Sequence, residues 1–129
     1  NAVTFFDIQS TKAKQFGFRM ILPDGKSLTC CGDEPYRDCE ENYAQNSDWL
    51  LHEAFCLDAQ ADIFHPYEKS HSTAKDACQT AEKLGVKNLV LYHTEDKNIT
   101  RRRELYTAEG QPYFSGNLYV PDDLDVIEL

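Results

Sequence analysis

The sequence predicts an α/β fold built on one layered β-sheet. Several short runs are rich in β-branched and aromatic residues, which is typical of strands. Two of these runs flank an Asp-Gly pair, which favours a tight hairpin. Farther along, small apolar residues recur with helical spacing. Strands first paired in a hairpin and then alternating with helices indicate a mixed sheet with helices packed on it.

The first third of the chain predicts three strands, at residues 3–9, 16–23 and 26–31. In the second run, apolar side chains alternate on one face: Phe16, Phe18, Met20 and Leu22. Asp24-Gly25 joins the second run to the third, so these two are expected to pair antiparallel. Residues 34–47 are polar and acidic, and we expect a loop or a short helix there.

The middle of the chain predicts a buried strand at 48–55, an irregular stretch at 57–71 and then a helix. The helical stripe begins after a capping residue, Ser72 or Thr73, and ends at Gly85. The stripe consists of Ala74, Ala77, Cys78, Ala81 and Leu84. A buried strand at 86–93, a second helix at 98–109, and two short strands in "YFSGNLYVP" and "LDVIEL" complete the expected order.

Length and composition fit one soluble globular domain. The chain has 129 residues, of which 41% are apolar, and no apolar run approaches the ~20 residues of a membrane span. Asn1-Ala2 is similar to the remnant of an expression tag, so the domain is expected to cover residues 3–129. Five cysteines without a C-x-x-C spacing favour a reduced, cytoplasmic protein.

The net charge of −9 argues against a surface that grips a phosphate backbone by itself, because such binding depends on clustered Lys and Arg. The one basic cluster, Arg101 to Arg103, is expected to be a solvated helix face.

Polar residues of the metal-ligand type lie at the ends of predicted elements. His52 and His93 end strands, His71 precedes a helix, and Asp33 follows the hairpin. In open α/β sheets, ligands and catalytic groups gather at such ends. Imidazole and carboxylate suit zinc, manganese or iron, so the set indicates a hydrolytic metal site. Each residue alone is more often structural: an Asp after Gly is usually a turn, and a lone His is usually a satisfied core residue.

Four motifs occur in an order that resembles the second half of metallo-β-lactamase-fold hydrolases. They are "GDE" at 32–34, "HEAF" at 52–55, "HSTA" at 71–74 and "LYHTE" at 91–95. The pattern is most similar to ribonuclease Z, a phosphodiesterase that processes tRNA 3′ ends. The resemblance implies half of an αββα sandwich, with one mixed sheet and helices on one face.

The resemblance also implies roles for particular residues. Asp33 matches a carboxylate that bridges two metal ions, and His93 matches a ligand of the second ion. Glu53 and His71 match the catalytic pair, in which Glu53 orients His71 and His71 assists the leaving oxygen. His52 is expected to be structural, and His65 to help position the loop before His71.

The sequence departs from this family at three points. The signature His-x-His-x-Asp-His is absent, so the chain supplies only part of a dinuclear zinc or manganese site and is expected to bind metal weakly or not at all. Phe55 stands where ribonuclease Z has Thr, and Thr-Glu-Asp follows His93 where a Ser and an Arg-Tyr are usual.

These features favour a fragment of a ribonuclease Z-like phosphodiesterase that is inactive alone. Its expected partners are the missing N-terminal half of the fold or a homodimer mate, with RNA as the substrate of the intact form and no membrane. Two alternatives stay open. The chain is a non-catalytic, self-associating half-domain, or the intact enzyme acts on a lactone, a thioester or a cyclic nucleotide.

Overall fold

A computed structural model describes residues 2–129 and confirms one mixed sheet of six strands. Neighbouring strands follow one another in chain order from β1 to β6. The strands are β1 (Val3–Asp7), β2 (Phe16–Ile21), β3 (Ser27–Cys30), β4 (Trp49–Glu53), β5 (Asn88–Tyr92) and β6 (Asn117–Tyr119). Asn1 of the expected tag remnant lies outside the described residues.

The sheet is antiparallel at its N-terminal side and parallel from β3 onward. β1, β2 and β3 pair antiparallel, and the predicted Asp-Gly turn connects β2 to β3. Gly25 has φ +86°, a conformation that a side chain would strain. β3, β4, β5 and β6 pair parallel, so each connection between them must cross over one side of the sheet.

Helical segments fill these crossovers. They are α1 (Glu41–Ala44), α2 (Ala61–Phe64), α3 (Ala74–Leu84) and α4 (Arg102–Gly110). The predicted apolar stripe is the buried side of α3. Thr73, rather than Ser72, caps this helix: its hydroxyl accepts from the Asp76 N–H at 3.1 Å. Gly85 ends it with φ +68°.

The two faces of the sheet differ in what covers them. On the face that we call the covered face, Leu50, Leu89 and Leu91 are buried together with α3 and α4 in one apolar core. The opposite face, the open face, is defined by side chains in register across the strands: Val3, Phe5, Phe16, Phe18, Met20, Leu28, Trp49, Leu51, Val90 and Tyr119. Phe5 is 69% exposed there, and Val3 and Phe16 are also exposed. The predicted stripe of β2 therefore faces outward.

The expectation of a strand in "LDVIEL" is wrong. Residues 124–129 form no strand, and Leu124 and Val126 are exposed. The tail is held against α4 by charge instead, because Arg102 binds Asp122 at 2.9 Å and Arg103 binds both Asp122 and Asp125. The expectation of a solvated arginine face is also wrong for Arg102, whose side chain is mostly buried.

No helix within residues 2–129 is long and apolar enough to cross a membrane. Three of the cysteines, Cys31, Cys56 and Cys78, are buried and have free thiols.

Candidate active site

Three of the four predicted site residues lie at or just after the ends of parallel strands that are neighbours in the sheet. Glu53 is the last residue of β4, His93 comes directly after β5, and Asp33 comes three residues after β3. Because parallel strands end at the same edge of a sheet, this arrangement brings the three residues to one rim. His71 reaches the same rim from the loop that precedes α3.

The core of the rim is the pair Glu53 and His71. The Glu53 side chain is fully buried, and His71 is 11% exposed. Glu53 Oε1 accepts the Ser72 N–H at 2.7 Å, while Oε2 lies 3.5 Å from His71 Nδ1. Oε2 and Nδ1 are buried and form no hydrogen bond within the described residues, so their 3.5 Å separation is that of an ion-pair contact. Each therefore depends on the other for its polar contact.

Burial shifts the pKa values of both groups in favour of their uncharged forms. It raises the pKa of Glu53 from 4.5 to about 7, against the opposing effect of the Ser72 hydrogen bonds. It lowers the pKa of His71, and the nearby His93 and Lys12 lower it further. A buried carboxyl whose pKa is about 7 can exchange a proton with a neighbouring imidazole.

His93 and Asp33 form the exposed part of the rim. The His71 and His93 ring centroids are 4.8 Å apart. Asp33 is close enough that its charge raises the pKa of His71. His93 has φ +58° and Gly32, before Asp33, has φ +81°, so both ligand-type residues sit in sharp turns that leave their strands.

His52 and His65 stand apart from this rim. His52 is buried, and its Nε2 accepts the Tyr36 N–H at 3.0 Å. Its proton is therefore on Nδ1, which donates to the Glu53 carbonyl at 2.6 Å. His52 thus braces the strand end that carries Glu53, while its own side chain faces the other side of the sheet. His65 is exposed at the end of α2, with Nδ1 3.7 Å from Glu68.

The donor chemistry of the rim fits part of a metal site. Asp33 offers carboxylate oxygens and His93 an imidazole, which are ligands of zinc and manganese. No group of three or more His, Cys, Asp or Glu side chains among residues 2–129 is arranged to hold an ion. A complete coordination sphere would need further ligands from elsewhere.

Two side chains that sequence reasoning did not assign to the site also act on His71. Phe55 stacks on His71 with ring centroids 5.0 Å apart and planes at 24°. Lys12, from the loop between β1 and β2, donates to the Lys69 carbonyl at 2.6 Å and so closes that loop near His71. The sequence marks Phe55 as a departure from the ribonuclease Z motif, which could have pointed to a role at the site. Nothing in the sequence marks Lys12.

Comparisons with known proteins agree with this architecture. No family model matches the sequence. Ribonuclease Z from Synechococcus sp. (strain CC9311) is 32% identical over 106 residues, which are 79% of this chain and 33% of that protein. Ribonuclease Z from Exiguobacterium sibiricum is 31% identical over 122 residues, 95% of this chain and 40% of that protein. The chain thus spans about a third of the length of the curated relatives it matches.

Solved structures show the same fold. Human tRNase Z, short form, aligns with a TM-score of 0.72 at 24% identity, over 98% of this chain and 42% of that one. The metallo-β-lactamase fold protein YhfI from Bacillus subtilis also aligns with a TM-score of 0.72, at 20% identity, over 92% of this chain and 46% of that one.

The fold and its neighbours define the class: the chain is a partial metallo-β-lactamase-fold protein, with one of the two halves of an α/β sandwich. Within that class its sequence is ribonuclease Z-like, as the motif order predicts.

Proposed function

We propose that this chain is the C-terminal half of a metal-dependent phosphodiesterase, with residues 3–129 as the half-domain and RNA as the substrate of the intact form. The observation that carries the proposal is the buried pair Glu53 and His71, set 3.5 Å apart beside His93 at one rim. Burying an ionised carboxylate costs free energy unless it is paired and hydrogen-bonded. Its retention here favours a catalytic use over a structural one.

In this proposal Glu53 holds His71 in place. Its Oε1 is fixed by the Ser72 N–H, which leaves Oε2 to receive the Nδ1 proton of His71. The opposite ring nitrogen of His71 is then free to hold or release a proton at the leaving oxygen of a phosphodiester. Phe55 stacks on the imidazole and restricts its rotation.

Asp33 and His93 would hold zinc or manganese together with ligands from the rest of the fold. When bound, the ions would supply a nucleophile at neutral pH and offset charge on the phosphate. With two donors only, this chain alone is expected to bind metal weakly and to be inactive.

The test is complementation. The chain is mixed with the separately expressed remainder of a ribonuclease Z relative, and cleavage of an RNA with a 3′ extension is measured with zinc or manganese present. We expect no turnover by the chain alone. In the complemented protein, Glu53→Gln and His71→Ala should each reduce kcat by roughly 10²–10⁴-fold.

His65→Asn is the matched control, since His65 is exposed and Asn tolerates its φ of +50°. It should leave cleavage unchanged. Turnover that is insensitive to both Glu53→Gln and His71→Ala would refute the proposed pair. Turnover by the chain alone, with stoichiometric metal after dialysis, would refute the half-domain proposal.

A second candidate is a non-catalytic module that self-associates through the open face. The exposure of Val3, Phe5 and Phe16 favours it, because contiguous apolar patches on a soluble protein mark interaction surfaces. Sedimentation at micromolar concentration separates the cases. A dimer that persists after the separately expressed remainder of the fold is added supports this candidate, and a monomer contradicts it.

A further inference from the structure

The tyrosine before His93 spans the rim. Tyr92 is the last residue of β5, and β4 separates β5 from β3. Its hydroxyl nevertheless donates to the Gly32 carbonyl beyond the end of β3, and lies 3.5 Å from Cys30 Sγ. A single side chain therefore joins the strand that carries His93 to the turn that carries Asp33.

The Asp33 turn needs such an anchor. Asp33 is exposed and lies beyond the last ladder residue of β3, in a turn that Gly32 opens with φ +81°. On its C-terminal side the turn is held by Glu34, which is buried, binds Arg37 at 2.8 Å and accepts the Ser10 hydroxyl at 2.6 Å. On its N-terminal side the contact from Tyr92 holds the peptide that joins Gly32 to Asp33.

We infer that Tyr92 is a positioning residue that fixes the Asp33 carboxylate relative to His93. The inference rests on the proposed function, because it assigns Tyr92 to the same metal-binding rim. Mutating a residue that orients a ligand without touching the ion typically lowers metal affinity by about 10–100-fold. Here the tie acts through the backbone of Asp33, since the hydroxyl binds the carbonyl of the preceding residue.

The experiment compares Tyr92→Phe with Tyr119→Phe in the full chain. Tyr119 lies on the same face of the sheet, in β6, where its ring packs against Trp49 with centroids 5.4 Å apart. Both substitutions remove one hydroxyl, but only the first removes the contact with Gly32. ¹⁵N relaxation reports the order of the Asp33 amide, and Mn²⁺ alone serves as the metal probe through its broadening of nearby amide signals.

In the unmodified chain and in Tyr119→Phe we expect an Asp33 order parameter of about 0.85. Mn²⁺ should broaden the Asp33 and His93 amides over the same concentration range. In Tyr92→Phe we expect the order parameter of Asp33 to fall below about 0.7. The Mn²⁺ concentration that broadens Asp33 should rise roughly tenfold. The His93 amide should stay ordered, which a general loss of stability would not produce.

Equal order and equal Mn²⁺ response in Tyr92→Phe and the unmodified chain would overturn the role of Tyr92 and leave the proposed function intact. An unmodified chain in which Mn²⁺ broadens neither Asp33 nor His93, even at concentrations that broaden amides beside other exposed carboxylates, would overturn the metal-binding rim itself, and with it the role of Tyr92.

Discussion

The two faces of the sheet obey different rules although the same strands form both. On the covered face, small helix residues such as Ala77 and Ala81 let α3 approach Leu50 and Leu89 closely, and all four are fully buried. On the open face, Phe5 and Phe16 are larger and yet exposed. Size and hydrophobicity therefore do not decide burial here. The helices α3 and α4 bury the covered face, whereas on the open face burial is limited to the middle of the sheet, at Leu28 and Trp49, and to the rim, at Glu53.

Two adjacent leucines in β4 give the most direct test of the difference between the two faces. Leu50 is fully buried on the covered face, whereas Leu51 is only partly buried on the open face. Leu50→Ala should lower the free energy of unfolding by about 3–4 kcal/mol, because it leaves a cavity in a closed core. Leu51→Ala should lower it by roughly 1 kcal/mol, because little packing is lost. Urea unfolding measures both, and equal losses would contradict the division into two faces.

Glu40 tests how the covered side of the sheet treats a buried ionisable group. It is fully buried, next to Cys31 of the covered core, and burial raises its pKa from 4.5 to about 7. The folded protein holds this proton more tightly than the unfolded chain does. The contribution of Glu40 to stability is therefore greatest below about pH 4.5, and it is lost, by about 3 kcal/mol, as the pH rises to about 7.

Glu40→Gln cannot ionise, so it should remove the part of the fall that Glu40 causes, leave the part that the buried Glu53 causes, and stabilise the protein at pH 8. Its amide oxygen can still accept the Arg37 N–H. Thermal unfolding between pH 4 and pH 8 gives the measurement, with the exposed Glu41→Gln as the control. A pH profile of Glu40→Gln that parallels the unmodified protein would contradict this account.

The smallest expected effect concerns association through the open face. Burying an aromatic side chain of this kind contributes about 2 kcal/mol, so Phe5→Ser should weaken self-association roughly tenfold or more. Its effect on unfolding of the monomer should be small, because Phe5 is already 69% exposed. Sedimentation velocity gives the dissociation constant. Ile63→Ser removes a similarly exposed apolar side chain from α2, outside the open face, and should leave the dissociation constant unchanged.

Sequence reasoning succeeded where one local pattern decided the outcome. The Asp-Gly turn, the α3 stripe and the glycine at its end follow from periodicity and backbone preference alone, and the structure has all three. It failed at residues 124–129, whose apolar residues resemble a strand. A strand needs a neighbour, and ion pairs between the tail and α4 hold this segment away from one.

For the candidate site, the sequence determined which chemical groups are available: two histidines and two carboxylates at element ends, in a familiar order. Only the tertiary structure decided their distances, the burial that moves the pKa values of Glu53 and His71, and the contacts from Phe55, Lys12 and Tyr92. The physical reason is that periodicity acts over a few residues. Contacts between residues some 20 to 60 positions apart depend on how the strands line up in the sheet.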